Sequence, residues 1–133
     1  MTYALDTNTV SYFIQGNTHV KAGIKKALES GHDIVTPPVT YCEVLRGFKH
    51  KPAPAKEKSF VEMCRAFPVG EMGMTTWDKA AGIYADSRRA GNPINDADIL
   101  IAAFCLVNGY TLVTNNNRHF ERVDGLQLAN WTE

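Results

Sequence analysis

Asp6, Glu43 and Asp98 stand apart from the other acids of this chain, because each is set against apolar neighbours rather than in a solvated run. Asp6 follows Tyr3-Ala4-Leu5 and leads into Thr7-Asn8, Glu43 lies in Tyr41-Cys42-Glu43-Val44-Leu45-Arg46-Gly47, and Asp98 precedes Ile99-Leu100-Ile101-Ala102-Ala103. A short apolar run bounded by polar residues reads as a buried strand, and in open α/β sheets ligands gather just beyond the carboxyl ends of such strands. Taken singly, each acid has an ordinary role. Asp6 suits a helix cap, Glu43 a solvated helical position, and Asp98 a capping box with Asn95 or a helix-dipole acid. Taken together, carboxylates brought to one crevice repel one another unless a cation neutralises them or some stay protonated, so convergence implies a metal ion.

Convergence requires elements that carry the acids to one place. Strands are expected at residues 2–5, 34–35, 111–114 and 126–131, with a further short one at Pro68-Val69-Gly70. A first helix runs to about Ile14, and a second starts at Thr18 as cap and carries Val20, Ile24, Ala27 and Leu28 to Gly31. Pro37-Pro38 suits the first turn of a third helix, where no amide donor is needed; it bears Glu43 and stops at Gly47. Phe60, Val61, Cys64 and Phe67 recur at helical spacing, and so do Trp77, Ala81, Tyr84 and Ala85, in a helix capped by Thr76. Asn95 or Asp96 caps a last helix whose interior, residues 99–107, is almost wholly apolar and therefore buried on most sides, before Asn108-Gly109 stops it. Asn115-Asn116-Asn117 reads as a turn. Strands alternating with helices over short connections give an α/β fold, a parallel sheet with helices on both faces. Asp6 and Thr114 then stand at strand ends and Asp98 in the first turn of the buried helix.

A chain of 133 residues suits one domain, residues 1–133, that buries roughly two thirds of its unfolded surface. Fourteen basic residues balance fourteen acidic ones, so no net field draws the molecule to nucleic acid or to a membrane, and any such attraction is local. Basic residues gather at Lys49, Lys51, Lys56 and Lys58, at Arg88-Arg89, and at Arg118 and Arg122; Arg46, Lys49 and Arg88 are the candidates for phosphate contacts. Cys42, Cys64 and Cys105 are odd in number and show no ligand spacing, which argues against disulfides and zinc and fits a reducing cytoplasm. No charged start with an apolar stretch behind it appears, nor any apolar run near the ~20 residues of a membrane span, so a soluble, unsecreted protein is expected.

In their order and spacing, Leu5-Asp6-Thr7-Asn8, Glu43-Val44-Leu45-Arg46-Gly47, Asp98 with Leu100-Ile101-Ala102-Ala103, and Leu112-Val113-Thr114-Asn115-Asn116 with Phe120, Gly125-Leu126 and Trp131 resemble the PIN-domain ribonucleases. Within that family they resemble the VapC-type toxins of bacterial toxin-antitoxin pairs, over nearly the whole chain. The resemblance implies a single PIN domain, an α/β/α sandwich around a central parallel sheet, that acts as an endoribonuclease dependent on Mg2+ or Mn2+. Carried over by position, Asp6, Glu43 and Asp98 match the family's first three acids, and Thr114 matches a polar residue that supports them. Asp96 stands where the family often has a further acid and takes a secondary metal-binding role. Asp6 and Asp98 are the candidates for the closest ligands, since Mg2+ is usually held by one or two carboxylates plus substrate phosphate, and Glu43 serves a water or a second ion. Many members carry a fourth acid where this chain has His119, which puts the second metal position in question; imidazole suits Mg2+ poorly, so His119 reads as a surface turn residue. The family further implies a VapB-type antitoxin with an arginine set against the acids, a structured RNA substrate such as tRNA or rRNA, and self-association as a homodimer.

Two other classes compete. Asp6-Thr7-Asn8-Thr9-Val10 is also similar to the nucleophile loop of haloacid-dehalogenase-like phosphatases, but Asn8 stands where that chemistry needs an acid. Such enzymes also need a late lysine, and the last lysine here is Lys79. A catalytically degenerate PIN-like binding protein is the other alternative, and His119 is the feature that keeps it open.

Overall fold

Short apolar runs build the sheet, and amphipathic segments between them return the chain to its starting edge. The computed structural model describes residues 1–133, as β1 (Thr2–Leu5), α1 (Thr7–Ile14), α2 (Thr18–Glu29), β2 (Asp33–Val35), α3 (Pro38–His50), α4 (Pro54–Ala66), α5 (Met74–Arg89), α6 (Asp96–Asn108), β3 (Thr111–Val113), α7 (Asn117–Phe120) and β4 (Leu128–Ala129). The four strands are parallel in the order β2-β1-β3-β4. Tyr3 pairs with Ile34 on one side and Thr111 on the other, which places β1 and β3 in the middle of the sheet.

Side chains of a strand alternate between its faces, and each face here has its own core. Ala4 and Leu112 point to one, where Ile99, Ala102 and Phe104 of α6 and Phe120 of α7 meet Ala80 and Ile83 of α5. Leu5 and Val113 point to the other, with Val10 of α1, Val20 and Ile24 of α2, Val44 of α3 and Phe60 of α4. The α/β/α sandwich around a parallel sheet is therefore the architecture, as the alternation of elements requires. No helix is long and apolar enough to cross a membrane.

The departures from expectation have local causes. Asn17, not Thr18, caps α2, its Oδ1 accepting the Val20 N–H at 3.0 Å. α3 continues past Gly47 to His50, because a single helical glycine costs only about 1 kcal/mol and Phe48 gains a ring contact with Phe60, centroids 6.2 Å apart. In α5 the inward stripe is Thr76, Ala80, Ile83 and Ser87 rather than Trp77, Ala81, Tyr84 and Ala85, and Thr76 lies inside the helix, whose N-cap is Gly73. Both stripes have helical period; the one with small residues admits α6 closely, leaving Trp77 and Tyr84 exposed. The segment at Pro68-Val69-Gly70 contributes a single bridge, Thr36 to Val69, instead of a strand. The edge strand expected over 126–131 shortens to two residues, and Trp131 beyond it packs on Tyr3 with centroids 5.0 Å apart. A short helix, α7, begins at Asn117, where only a turn is expected.

Two glycines test this packing with opposite signs. A Cβ on Gly70 would lie 2.5 Å from Cζ of the buried Phe104, so Gly70→Ala should lower stability by about 1–3 kcal/mol through overpacking. A Cβ on Gly47 meets nothing within 4 Å, so Gly47→Ala should raise stability by about 0.5–1 kcal/mol through helix propensity. Urea unfolding midpoints at unchanged m-value measure both.

Candidate active site

At the middle of the sheet the carboxyl ends of β1 and β3 lie side by side, and the chain leaves each with a polar residue, Asp6 and Thr114. The Asp6 N–H donates to the Val113 carbonyl at 3.1 Å, extending the β1–β3 pairing by one step. Asp6 is also the N-cap of α1: its Oδ1 accepts the Thr9 N–H at 2.8 Å. The Thr9 hydroxyl then donates to the Val113 carbonyl at 3.0 Å, tying α1 to β3. Thr40 on α3 does the same for β1, donating to the Leu5 carbonyl at 3.0 Å. Three residues further along α3, on the same helix face, stands Glu43.

Glu43 Oε1 accepts the Thr7 hydroxyl at 2.5 Å, and its Oε2 lies 3.5 Å from Arg46 Nη2. Asp98 enters from α6. Its N–H donates to Oδ1 of the cap Asn95 at 2.9 Å, and Asn95 Nδ2 donates in return to Asp98 Oδ2 at 3.0 Å. From the far side His119 Nδ1 lies 3.3 Å from Asp98 Oδ2, with Asn116 Nδ2 at 3.0 Å from the same ring nitrogen. The Asn116 N–H donates to the Thr114 hydroxyl at 2.9 Å, so the Asn116 loop is pinned to the end of β3.

The result is a crevice of about 240 Å³ with no hydrophobic residue in its wall, lined by Asp6, Glu43, Asp98, Asn95, Asn116 and His119 together with Thr7 and Asn8. Asp6 lies deepest, 5 % exposed. Burial raises its carboxyl above the ordinary 3.8; hydrogen bonds with Thr114 and Thr9 work against that, and the charge of Asp98 adds to it. Two helix amino termini, those of α1 and α6, offset part of the negative charge. Beneath the site, burial pushes the Cys105 thiol up to about 12, with the Asp6 charge adding, so this sulfur stays protonated and is no nucleophile.

Asp6, Glu43 and Asp98 thus line one crevice. Thr114 lies under it, fully buried, in contact with Asp6 rather than open to the cavity. Asp96 is exposed in the first turn of α6 and does not line the crevice. His119 is exposed, as expected of a surface residue, but it sits on the short helix α7, whose Phe120 is anchored in the core, rather than in a turn, and its ring reaches Asp98. Of the three basic candidates Arg46 stands beside Glu43, whereas Lys49 pairs with Glu57 at 3.5 Å and the Arg88 guanidinium lies 4.7 Å over the Tyr84 ring. Thr7, Asn8, Asn95 and Asn116 were not among the expected site residues, although all but Asn116 are within three positions of an expected acid. A separate cavity of about 230 Å³ between α5 and the 122–124 segment has walls of mixed charge, Lys79 and Arg122 with Asp86 and Asp124, and no converging set of groups.

No three or more His, Cys, Asp and Glu side chains are gathered closely enough to hold a metal ion by themselves. The donors are nonetheless mostly oxygens, with carboxylates on Asp6, Glu43 and Asp98, and they fit a hard divalent ion that completes its shell with waters and a phosphate.

The PIN domain model matches residues 3–126. The chain is 30 % identical over 135 residues to the tRNA(fMet)-specific endonuclease VapC of Shigella flexneri, covering 98 % of each chain. It is 25 % identical to Ribonuclease VapC1 of Haemophilus influenzae (strain R2866) over the full length of both. Among solved structures, the DNA-bound VapBC of Salmonella typhimurium superposes with a TM-score of 0.87 at 26 % identity, over 98 % of each chain. VapBC2 of Rickettsia felis, bound to a promoter DNA fragment, shares the fold with a TM-score of 0.90 at 22 % identity, over 98 % of this chain and 99 % of that one. With its acids converging at the end of β1 and the family model spanning nearly its whole length, the chain belongs to the PIN domain family, as a relative of the VapC ribonucleases.

Proposed function

We propose that this protein is the toxin of a toxin-antitoxin pair, a PIN domain spanning residues 1–133 that hydrolyses phosphodiester bonds of structured RNA, tRNA or rRNA, with Mg2+ or Mn2+. The observation that carries the reading is the all-polar crevice into which Asp6, Glu43 and Asp98 converge from three separate parts of a chain in this family. A divalent ion supplies, when bound, neutralisation of charge on the scissile phosphate and acidification of the attacking water. Asp6 and Asp98 are the residues that hold it. Their geometry is fixed from outside the crevice, Asp6 by Thr9 and Thr114, Asp98 by Asn95. Glu43, held by Thr7 and Arg46, orients the water and takes up its proton as the new P–O bond forms. The breaking P–O ester bond releases an oxygen that is protonated in turn. Asp96 takes an outer, secondary part.

An incomplete metal shell suits this chemistry, because substrate phosphate supplies the missing oxygens only when RNA is in place. The VapBC complexes among the structural relatives support a VapB-type antitoxin as partner. The crevice suits a guanidinium from that partner, since fork-shaped donors pair well with carboxylates. A homodimer, and a cytoplasmic location where RNA and antitoxin are met, complete the reading. The phosphatase alternative lacks support: Asn8 lines the crevice where that chemistry needs an acid.

Purified protein should cleave RNA with added Mg2+ or Mn2+ and stop on chelation, and brief induction followed by RNA end-mapping should find discrete sites in tRNA or rRNA. Asp6→Asn and Asp98→Asn should each lower the cleavage rate by more than about a hundredfold, since several kcal/mol of charge stabilisation rest on the ion. Wild-type rates in either variant would refute the ligand set. Thr7→Val should cost about 10–100-fold, as loss of an orienting partner does at metal sites. The raised Asp6 carboxyl gives the metal-free protein a pH signature. Between 3.8 and its higher folded value, the folded state binds more protons than the unfolded one, so stability falls as pH rises through that window. Asp6→Asn should flatten this slope in chelator and leave the protein more stable at neutral pH, as read by denaturant unfolding at several pH values.

A further inference from the structure

We propose that the basic corner where α3 turns into α4, reached from the crevice through Arg46, grips the backbone of the RNA strand on one side of the scissile bond. That grip serves the proposed nuclease site and rests on that reading. Three carboxylates line the crevice, so it repels a polyanion. A bound ion relieves this only at the scissile phosphate, and the phosphates beside it need cations of their own.

The chain gathers them in one place. Residues 46–58 hold Arg46, Lys49, Lys51, Lys56 and Lys58 against the single acid Glu57, which leaves that segment at +4 and the rest of a neutral chain at −4. All five cations are exposed. Contacts tie them to the crevice: Arg46 Nη2 lies 3.5 Å from Glu43 Oε2, and about one turn further along α3 Lys49 Nζ lies 3.5 Å from Glu57 Oε2 on α4. Phe48 and Phe60, ring centroids 6.2 Å apart, also hold the two helices together. From Glu43 to Lys51 the helix rises about 12 Å, the length of three to four stacked nucleotides at about 3.4 Å each.

Local structure does not account for this corner. Lys51, Lys56 and Lys58 form no ion pair, since the ion pairs of the chain involve other cations. Lys56 lies in the first turn of α4, where the helix dipole disfavours a cation. Crowded like charges repel one another, and a polyanion laid across them relieves that repulsion. Ammonium groups on flexible stems suit phosphates, which set the register of a strand without reading its bases. The arginines of α5 are engaged otherwise, Arg89 with Asp86 and Arg88 over Tyr84.

The test is binding of a fluorescein-labelled RNA stem-loop to the full-length protein in chelator, between about 50 and 200 mM salt. Wild type is compared with Arg46→Gln, with Lys51→Gln and Lys56→Gln combined, and with Lys79→Gln, whose lysine lines the separate cavity beside α5. The double variant should lower the slope of log affinity against log salt by about 1.4–1.8, Arg46→Gln by about 0.7–0.9, and Lys79→Gln should match wild type. In cleavage with Mn2+ the double variant should raise KM by at least about fivefold and leave kcat within about twofold, as loss of uniform binding does. A wild-type slope and KM in the double variant would overturn the proposal and leave the nuclease reading standing. An equal loss of slope in Lys79→Gln would overturn it too, since the attraction would then be diffuse. Slopes reduced as expected, with no cleavage by wild type in Mg2+ or Mn2+, would establish the corner as an RNA grip and overturn the nuclease reading.

Discussion

The structure depends on keeping a carboxylate at the buried end of its central strand. Asp6 lies just past the last residue of β1 and is only 5 % exposed, so an unpaired charge there would be costly. Its surroundings are built to hold it. Its side chain caps α1 by accepting the Thr9 amide, and Thr114, just past β3, supports it. Those groups do not bring its carboxyl back to the ordinary range, because burial outweighs them. The residual cost is the physical reason a cation is welcome here.

The same groups that accommodate the charge also assemble the fold. Thr9 and Thr40 each use a buried hydroxyl to satisfy the last carbonyl of a central strand, Val113 and Leu5. Each bond anchors a helix at the site as well as closing a backbone acceptor that water does not reach. Glu43 is placed over the crevice because α3 is tied down one turn earlier. Function and stability therefore share their hydrogen bonds at this end of the sheet.

The acids approach one another without closing on a point. Arg46 beside Glu43, Asn95 on Asp98 and His119 against the same carboxylate each occupy part of the coordination capacity in the metal-free protein. On the proposed function, a site arranged in this way would leave a substrate phosphate to complete the shell of a bound ion.

Local pattern was enough to read most elements and the three acids. Apolar runs of strand length, the Pro-Pro start of α3, the Asn95 cap and the apolar interior of α6 are each specified by residues within a turn of one another, and so they are legible in order. Asp6, Glu43 and Asp98 are legible because an acid against apolar neighbours is locally anomalous. What lay beyond the sequence depended on distant partners. Period alone does not say which stripe of α5 faces inward; the small residues that admit α6 decide it. Thr7 became an anchor for Glu43, 36 positions away, only through the tie of α3 to β1. His119 reads as a turn residue until Phe120 fixes α7 in the core and aims its neighbour at Asp98, 21 positions back. Sequence determined which side chains were available for chemistry; tertiary packing decided which of them meet, because contact across the sheet is set by the register of β1 and β3 and by the helices docked on them.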